Sequence, residues 1–224
     1  MANINVLITS GGTVEKIDAV RGITNFSTGK LGSLLAESFS VHNAEIWYLH
    51  ATTACLPSCK VNSFPFESVV ELKQTIETIL RSEQIDVIVH AAAVSDYLVA
   101  EVLDSRGNRL DNKGKISSNE TELTVKLAQT PKIISTLREM APNAVIVGFK
   151  LLDGVTKEEL FIAAKRVMDQ NGCDFVLMND SAEISGECHI GYLMNDNGIM
   201  QCFETKSEIA SGIAKALWEE LDNG

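Results

Sequence analysis

The chain has 224 residues, 45% hydrophobic and 22% charged, with four prolines and no low-complexity tract; this suffices for one substantial core and excludes a disordered or fibrous protein. Nineteen basic against 30 acidic residues give a net charge of −11, which repels a nucleic-acid backbone or an anionic bilayer but leaves room for a small anion in a locally positive pocket. No charged-then-apolar leader and no run long enough to span a bilayer occurs, so a soluble, cytoplasmic protein without membrane or nucleic-acid partners is expected.

The apolar run INVLIT (4–9) predicts a first strand, which leads into the turn Ser10-Gly11-Gly12-Thr13. A helix is expected over 29–41, directly after the small and hydroxyl residues Ser27, Thr28 and Gly29. Then come strands AEIWYLHA and KVNSFPF, a helix over 68–81, the strand DVIVHAAA, the run ELTVKL, a helix over 130–140, the strand AVIVGFK, a helix over 157–170 and the strand DFVLM. Runs apolar on both faces belong to strands covered by helices on each side, so the order predicts one α/β domain over 1–224: a Rossmann-like, doubly wound, mainly parallel sheet with helices on both faces. Residues 97–118 are polar and lack apolar periodicity, which suggests a mobile lid at 96–118. Asn197-Gly198 marks a β-hairpin at 187–204, and a helix over 206–221 closes the chain.

The five cysteines have no paired zinc spacing and are expected as reduced thiols. His42, His50 and His189 share no metal-like spacing and are expected to be structural. Ligands of parallel sheets bind beyond the carboxyl ends of the strands, where SGGT, AAAVSD, GFK and MND all fall. The spacing of Walker A is absent, since Gly22 stands seven residues before Gly29 and Lys30 is followed by Leu31; the dinucleotide fingerprint and a Tyr-x-x-x-Lys relay are absent too. What survives is an anion site at the helix that starts near Gly29, against the alternative that Ser27 or Thr28 only caps it.

ITSGGTVEKIDAVRGITNFSTGKLG, AAAVSDY, NKGKISS before ELTVKL, TPKII and VGFKLL, in that order, resemble the phosphopantothenate-cysteine ligases of coenzyme A biosynthesis over nearly the whole chain. The resemblance implies activation of a carboxylate by a nucleoside triphosphate, CTP favoured and ATP open, followed by displacement of the nucleotide by the amine of cysteine. It implies Asn25 as the catalytic amide and Lys115, with Lys113 as alternative, as the lid lysine on the triphosphate. Gly11, Gly12, Thr13, Arg21, Asn25, Ser27, Thr28 and Gly29 would contact phosphopantothenate. His90, Ala91, Ala92, Asp96, Lys115, Pro131, Lys132, Ile133, Ile134, Phe149 and Lys165 would contact the nucleotide. It further implies Mg²⁺, no flavin, a homodimer with its contact at the C-terminal hairpin, and a stand-alone bacterial ligase. KISS for a lysine-rich lid run and GFKLL for GFAAET depart from the bacterial pattern, and the second of two lysines expected one helical turn apart falls near Asp169. A pyridine-nucleotide oxidoreductase and a non-catalytic nucleotide sensor are the rival readings.

Overall fold

Strand β1 (Asn5–Ser10) shows why these residues make a two-faced sheet: Leu7 joins the buried cluster on one face, Val6 and Ile8 the cluster on the other. The structure is a computed structural model that describes residues 4–198 and 200–223. After β1 come a small ribbon, β2 (Val14–Lys16) and β3 (Gly22–Thr24), then helix α1 (Lys30–Ser40), β4 (Glu45–Ala51), β5 (Asn62–Phe66), α2 (Val69–Ser82) and β6 (Val87–His90). An arm of β7 (Tyr97–Leu103) and β8 (Thr124–Gln129) follows, then α3 (Ile134–Met140), β9 (Val145–Leu152), α4 (Lys157–Asn171) and β10 (Phe175–Asp180). The chain ends with a short ribbon, β11 (Ile184–Ser185) and β12 (Cys188–His189), the hairpin β13 (Gly191–Asn195) and β14 (Met200–Phe203), and α5 (Lys206–Asn223).

The main sheet has eight strands in the order β14-β13-β10-β9-β6-β1-β4-β5. The six strands from β10 to β5 are parallel, and β13 and β14 add an antiparallel edge. Helices α2, α3 and α4 cover one face through Leu72, Ile76, Leu137, Leu160 and Ala164; α1 and α5 cover the other through Leu35, Phe39, Ile209, Ile213 and Leu217. The doubly wound sheet expected from the sequence is present. Strand order reverses between β1 and β6, which places a crevice above their carboxyl ends.

Three expectations change. Residues 97–118 are not structureless throughout: Tyr97–Leu103 pairs with Thr124–Gln129, with a register shift between Val99 and Glu101, so ELTVKL belongs to a separate arm. β8 is largely exposed and β7 mostly half-buried, with only Val102 buried, which is why their sequences lack the apolar pattern of the sheet. The hairpin is confined to Gly191–Phe203, because Cys188 and His189 pair back onto Ile184 and Ser185. The ribbon β2–β3, unforeseen from sequence, folds the chain between Thr13 and Asn25 back over the crevice.

Close packing under this crevice requires glycine. At Gly32 a Cβ would stand 2.2 Å from Ser10 Oγ and 2.5 Å from Ser10 Cβ, so α1 touches β1 only because Gly32 has no side chain. We predict that Gly32→Ala lowers stability by about 1–3 kcal/mol in denaturant titration. Adding Ser10→Ala should not restore it, because Cβ remains, whereas Ser10→Gly should restore part; equal rescue by both would contradict this packing.

Candidate active site

The ends of β1 and β6 are clasped across the switch point. Ala93 N donates to Gly11 O at 2.8 Å, Thr13 N donates to Ala93 O at 3.2 Å, and Ser95 N donates to Thr13 Oγ1 at 2.9 Å. Gly11 has φ +86°, a conformation that favours glycine, and at Gly12 a Cβ would lie 2.3 Å from Asn25 O. The returning chain therefore passes directly over Gly12. Asn25 Nδ2 donates to Val94 O at 3.1 Å, which holds this exposed side chain at the crevice.

Two cavities meet there. The first, about 720 Å³, is lined by Asn25, Phe26, His90, Ala92, Asp96, the Thr130–Ile134 segment and the Phe149–Leu151 strand end. The second, about 400 Å³, is lined by Ser27, Thr28, Gly29, Lys30, Ala91, Asn179, His189 and Lys206, among others. Phe26, Ala92, Ala93, Phe149 and Leu151 border both. A third hollow of about 910 Å³ continues the first past Lys132, Phe149 and Lys150 to Arg166 and Gln170 on α4.

The second cavity borders the start of α1 and two lysines, Lys30 and Lys206. Helix α1 has Gly29 as its N-cap at φ +69°, with no side-chain cap of its own. Gly29 N donates to Ser27 Oγ and Lys30 N to Thr28 Oγ1, both at 3.4 Å, and residues 27–30 at the helix start line the cavity. Among the described residues no carboxylate ion-pairs with Lys30 or Lys206. His189 is part of this wall, not a purely structural residue as expected from spacing. Asn179 Nδ2 donates to its Nε2 at 3.2 Å, so Nδ1 carries the proton, and Nδ1 is buried without a partner. Burial and the nearby Lys206 ammonium push the His189 pKa down, which keeps the ring neutral. Lys206 and His189 carried no sequence signal, since only the fold of the C-terminal ribbon brings them to α1.

The remaining expected residues fall into two groups. His90, Ala92, Asp96, Pro131, Lys132, Ile133, Ile134 and Phe149 line the first cavity, with Lys132 Nζ 2.8 Å from Asp96 Oδ1; Ala91 lines the second. Gly11 and Thr13 form the clasp behind both. Arg21 stands outside both cavities: its guanidinium bonds Asp18 and, at 3.0 Å, Ile116 O. Lys165 also lies outside them, paired with Asp169 at 3.0 Å one turn on, while its neighbour Arg166 faces the third hollow. Lys113 and Lys115 are exposed and line none of the three cavities, because their loop is anchored elsewhere. Ala19 N reaches Gly114 O at 3.4 Å, and the buried Asp18 accepts from Ile116 N at 3.1 Å. Asp18 also accepts from the backbone of Val20 and Arg21; chiefly the Arg21 guanidinium holds its carboxyl well below the usual carboxylate range. All five cysteines are free thiols.

The sequence profile described as "DNA/pantothenate metabolism flavoprotein C-terminal domain" matches residues 1–221. The chain is 36% identical over 97% of its length to 50% of the "Coenzyme A biosynthesis bifunctional protein CoaBC" of Thermococcus kodakarensis, and 33% identical over 94% to 49% of the protein of the same name from Methanocaldococcus jannaschii. It thus spans about half the length of these relatives. A crystal structure of the DNA/pantothenate metabolism flavoprotein of Streptococcus pneumoniae superposes with a TM-score of 0.86 at 30% identity, over 97% of this chain and 99% of that one. Among the described residues no helix is long and apolar enough to cross a membrane.

Two outcomes test this geometry. Asp18→Asn should speed hydrogen exchange of the amides at 114–117 while leaving β1 and β6 protected; unchanged exchange would show that Asp18 does not anchor the loop. Burial pushes the pKa of His90 down to about 4, so its neutral form stabilises the fold fully above pH 6.5, and this contribution is lost as pH falls towards 4. In chemical denaturation, wild-type stability should therefore decline by about 3 kcal/mol more than that of His90→Gln between pH 7 and 4; parallel declines would refute it.

Proposed function

The chain belongs to the DNA/pantothenate metabolism flavoprotein C-terminal domain family, and from that premise we propose that it is a phosphopantothenate-cysteine ligase, joining 4'-phosphopantothenate to L-cysteine in coenzyme A biosynthesis. The observation that carries the reading is the pair of cavities meeting at Phe26, Ala92, Ala93 and Phe149, with Asn25 lining the first cavity beside Phe26. A two-step acyl transfer needs an acid and a nucleotide held end to end at a single junction.

In this reading the phosphate of the acid lies in the second cavity, against the α1 N-terminus, Lys30 and Lys206, with the His189 ring in the wall. The nucleotide occupies the first cavity along Pro131, Lys132 and Phe149. In the first step a carboxylate oxygen attacks the α-phosphorus, the bond to the β-phosphate breaks, and pyrophosphate leaves. In the second step the amine of cysteine attacks the acyl carbon, the carbon–oxygen bond to the phosphate breaks, the nucleoside monophosphate leaves, and the amine gives up a proton. Side chains supply orientation and charge, not a nucleophile. Asn25 presents its amide at the junction to orient the acyl phosphate. Lys115, or Lys113 beside it, meets the leaving pyrophosphate once the anchored loop moves or a second copy of the chain supplies it; the homodimer belongs to the same proposal.

Among the described residues no three metal-ligating side chains cluster, which fits a magnesium ion carried in on the triphosphate better than a resident one. Asp96, the carboxylate on the wall of the first cavity, would reach such an ion, which when bound supplies charge to the phosphates. In this reading the base lies towards the third hollow, where Lys150, Arg166 and Gln170 would distinguish CTP from ATP.

With phosphopantothenate, cysteine, Mg²⁺ and either CTP or ATP, the protein should release pyrophosphate. Asn25→Ala should still release it while accumulating acyl-nucleotide, whereas Lys115→Gln should slow release by about 10–100-fold. A nucleotide sensor or an oxidoreductase would release none.

A further inference from the structure

His90 ends β6 at the switch point and is 7% exposed. Its Nδ1 lies 2.9 Å from Thr9 Oγ1, and that same hydroxyl oxygen accepts from Ala92 N at 3.1 Å. With the Ala92 amide on one lone pair, the threonine is satisfied by donating its proton to Nδ1. The ring hydrogen then sits on Nε2. That atom has no partner among the described residues, and the ring lines the first cavity. A buried polar ring with one nitrogen fixed and the other left open to a cavity is half of a hydrogen bond.

Resting on the ligase reading, we propose that Thr9 and His90 form a tautomer-locked donor whose Nε2–H holds a phosphoryl oxygen of the nucleotide on the floor of the first cavity. Phosphoryl oxygen is favoured over a base atom by position. His90 is at the end of a central strand, paired with Thr9 two residues before Gly11, whereas Lys132 and Lys150, the cations able to read a base or ribose, stand on the outer loop and strand end. The ring has no carboxylate partner and is kept neutral by its burial, so it acts as a donor and not as a base for the incoming amine. Thr9 is a positioning residue: its hydroxyl selects which nitrogen faces the ligand.

Nitrogen-15 NMR of histidine-labelled protein tests this directly. The free protein should show His90 with hydrogen on Nε2, and CMP should shift that resonance while cytidine leaves it in place. Thr9→Val should mix the two tautomers. In pyrophosphate-release kinetics, His90→Asn should raise the nucleotide KM by about tenfold, the effect of one lost hydrogen bond to a charged acceptor. The KM for the acid should stay unchanged. His90→Gln, whose amide nitrogen can take the place of Nε2, should stay within about threefold of wild type. Hydrogen on Nδ1, an equal shift with cytidine, or a folded His90→Gln as impaired as His90→Asn would overturn the inference. If the wild type releases no pyrophosphate at all, the ligase reading fails, and the tautomer with the CMP and cytidine titrations still decides the role of His90.

Discussion

The site depends on one close approach: the chain leaving β1 and the chain leaving β6 are hydrogen-bonded to each other directly above the point where strand order reverses. In an open parallel sheet this is where the strand ends diverge and leave space. Here the space is floored by Gly11–Gly12 and Ala91–Ala93, and the segment bearing Asn25 crosses Gly12 too closely to tolerate any side chain there. The clasp therefore sets the height of Asn25 above the sheet. It also separates the crevice into two chambers that share a narrow border.

Electrostatics follows the same partition. The protein is strongly acidic overall, yet the second cavity combines the start of α1, a histidine kept neutral by burial and two lysines that ion-pair with no carboxylate among the described residues. That concentration of positive charge is what favours the proposed phosphate there. The first cavity is different, with Asp96 paired to Lys132 and a histidine held neutral by burial, a lining that suits an extended ligand with both polar and aromatic surfaces.

Much of this was legible in the sequence because β1, β6, β9 and β10 are apolar on both faces, and β1, β6 and β10 end in polar residues. The loops after those strands were correctly placed together, and Asn25, Asp96, Phe149 and the Ser27–Gly29 segment line the cavities. What escaped was long-range. His189 and Lys206 lie far along the chain from α1 and join it only through the folding of a two-residue ribbon, which no local pattern announces. Arg21 reads as a free cation beside the phosphate loop, yet Asp18, three residues earlier, captures it and turns it into an anchor for the Ile116 backbone. The arm is not legible as such because pairing outside the sheet leaves β8 largely exposed and β7 only half-buried, without a two-sided apolar run.

The central claim is that the two chambers hold the two halves of one acyl-nucleotide. A crystal structure of the protein with 4'-phosphopantothenate and a nucleotide bound together tests it most directly. The account predicts the phosphate of the acid against the α1 N-terminus between Lys30, Lys206 and His189, its carboxylate beside Asn25, and the nucleotide along Phe149. An acid bound with its phosphate in the chamber of Asp96 and Lys132, or away from Asn25 altogether, would contradict it.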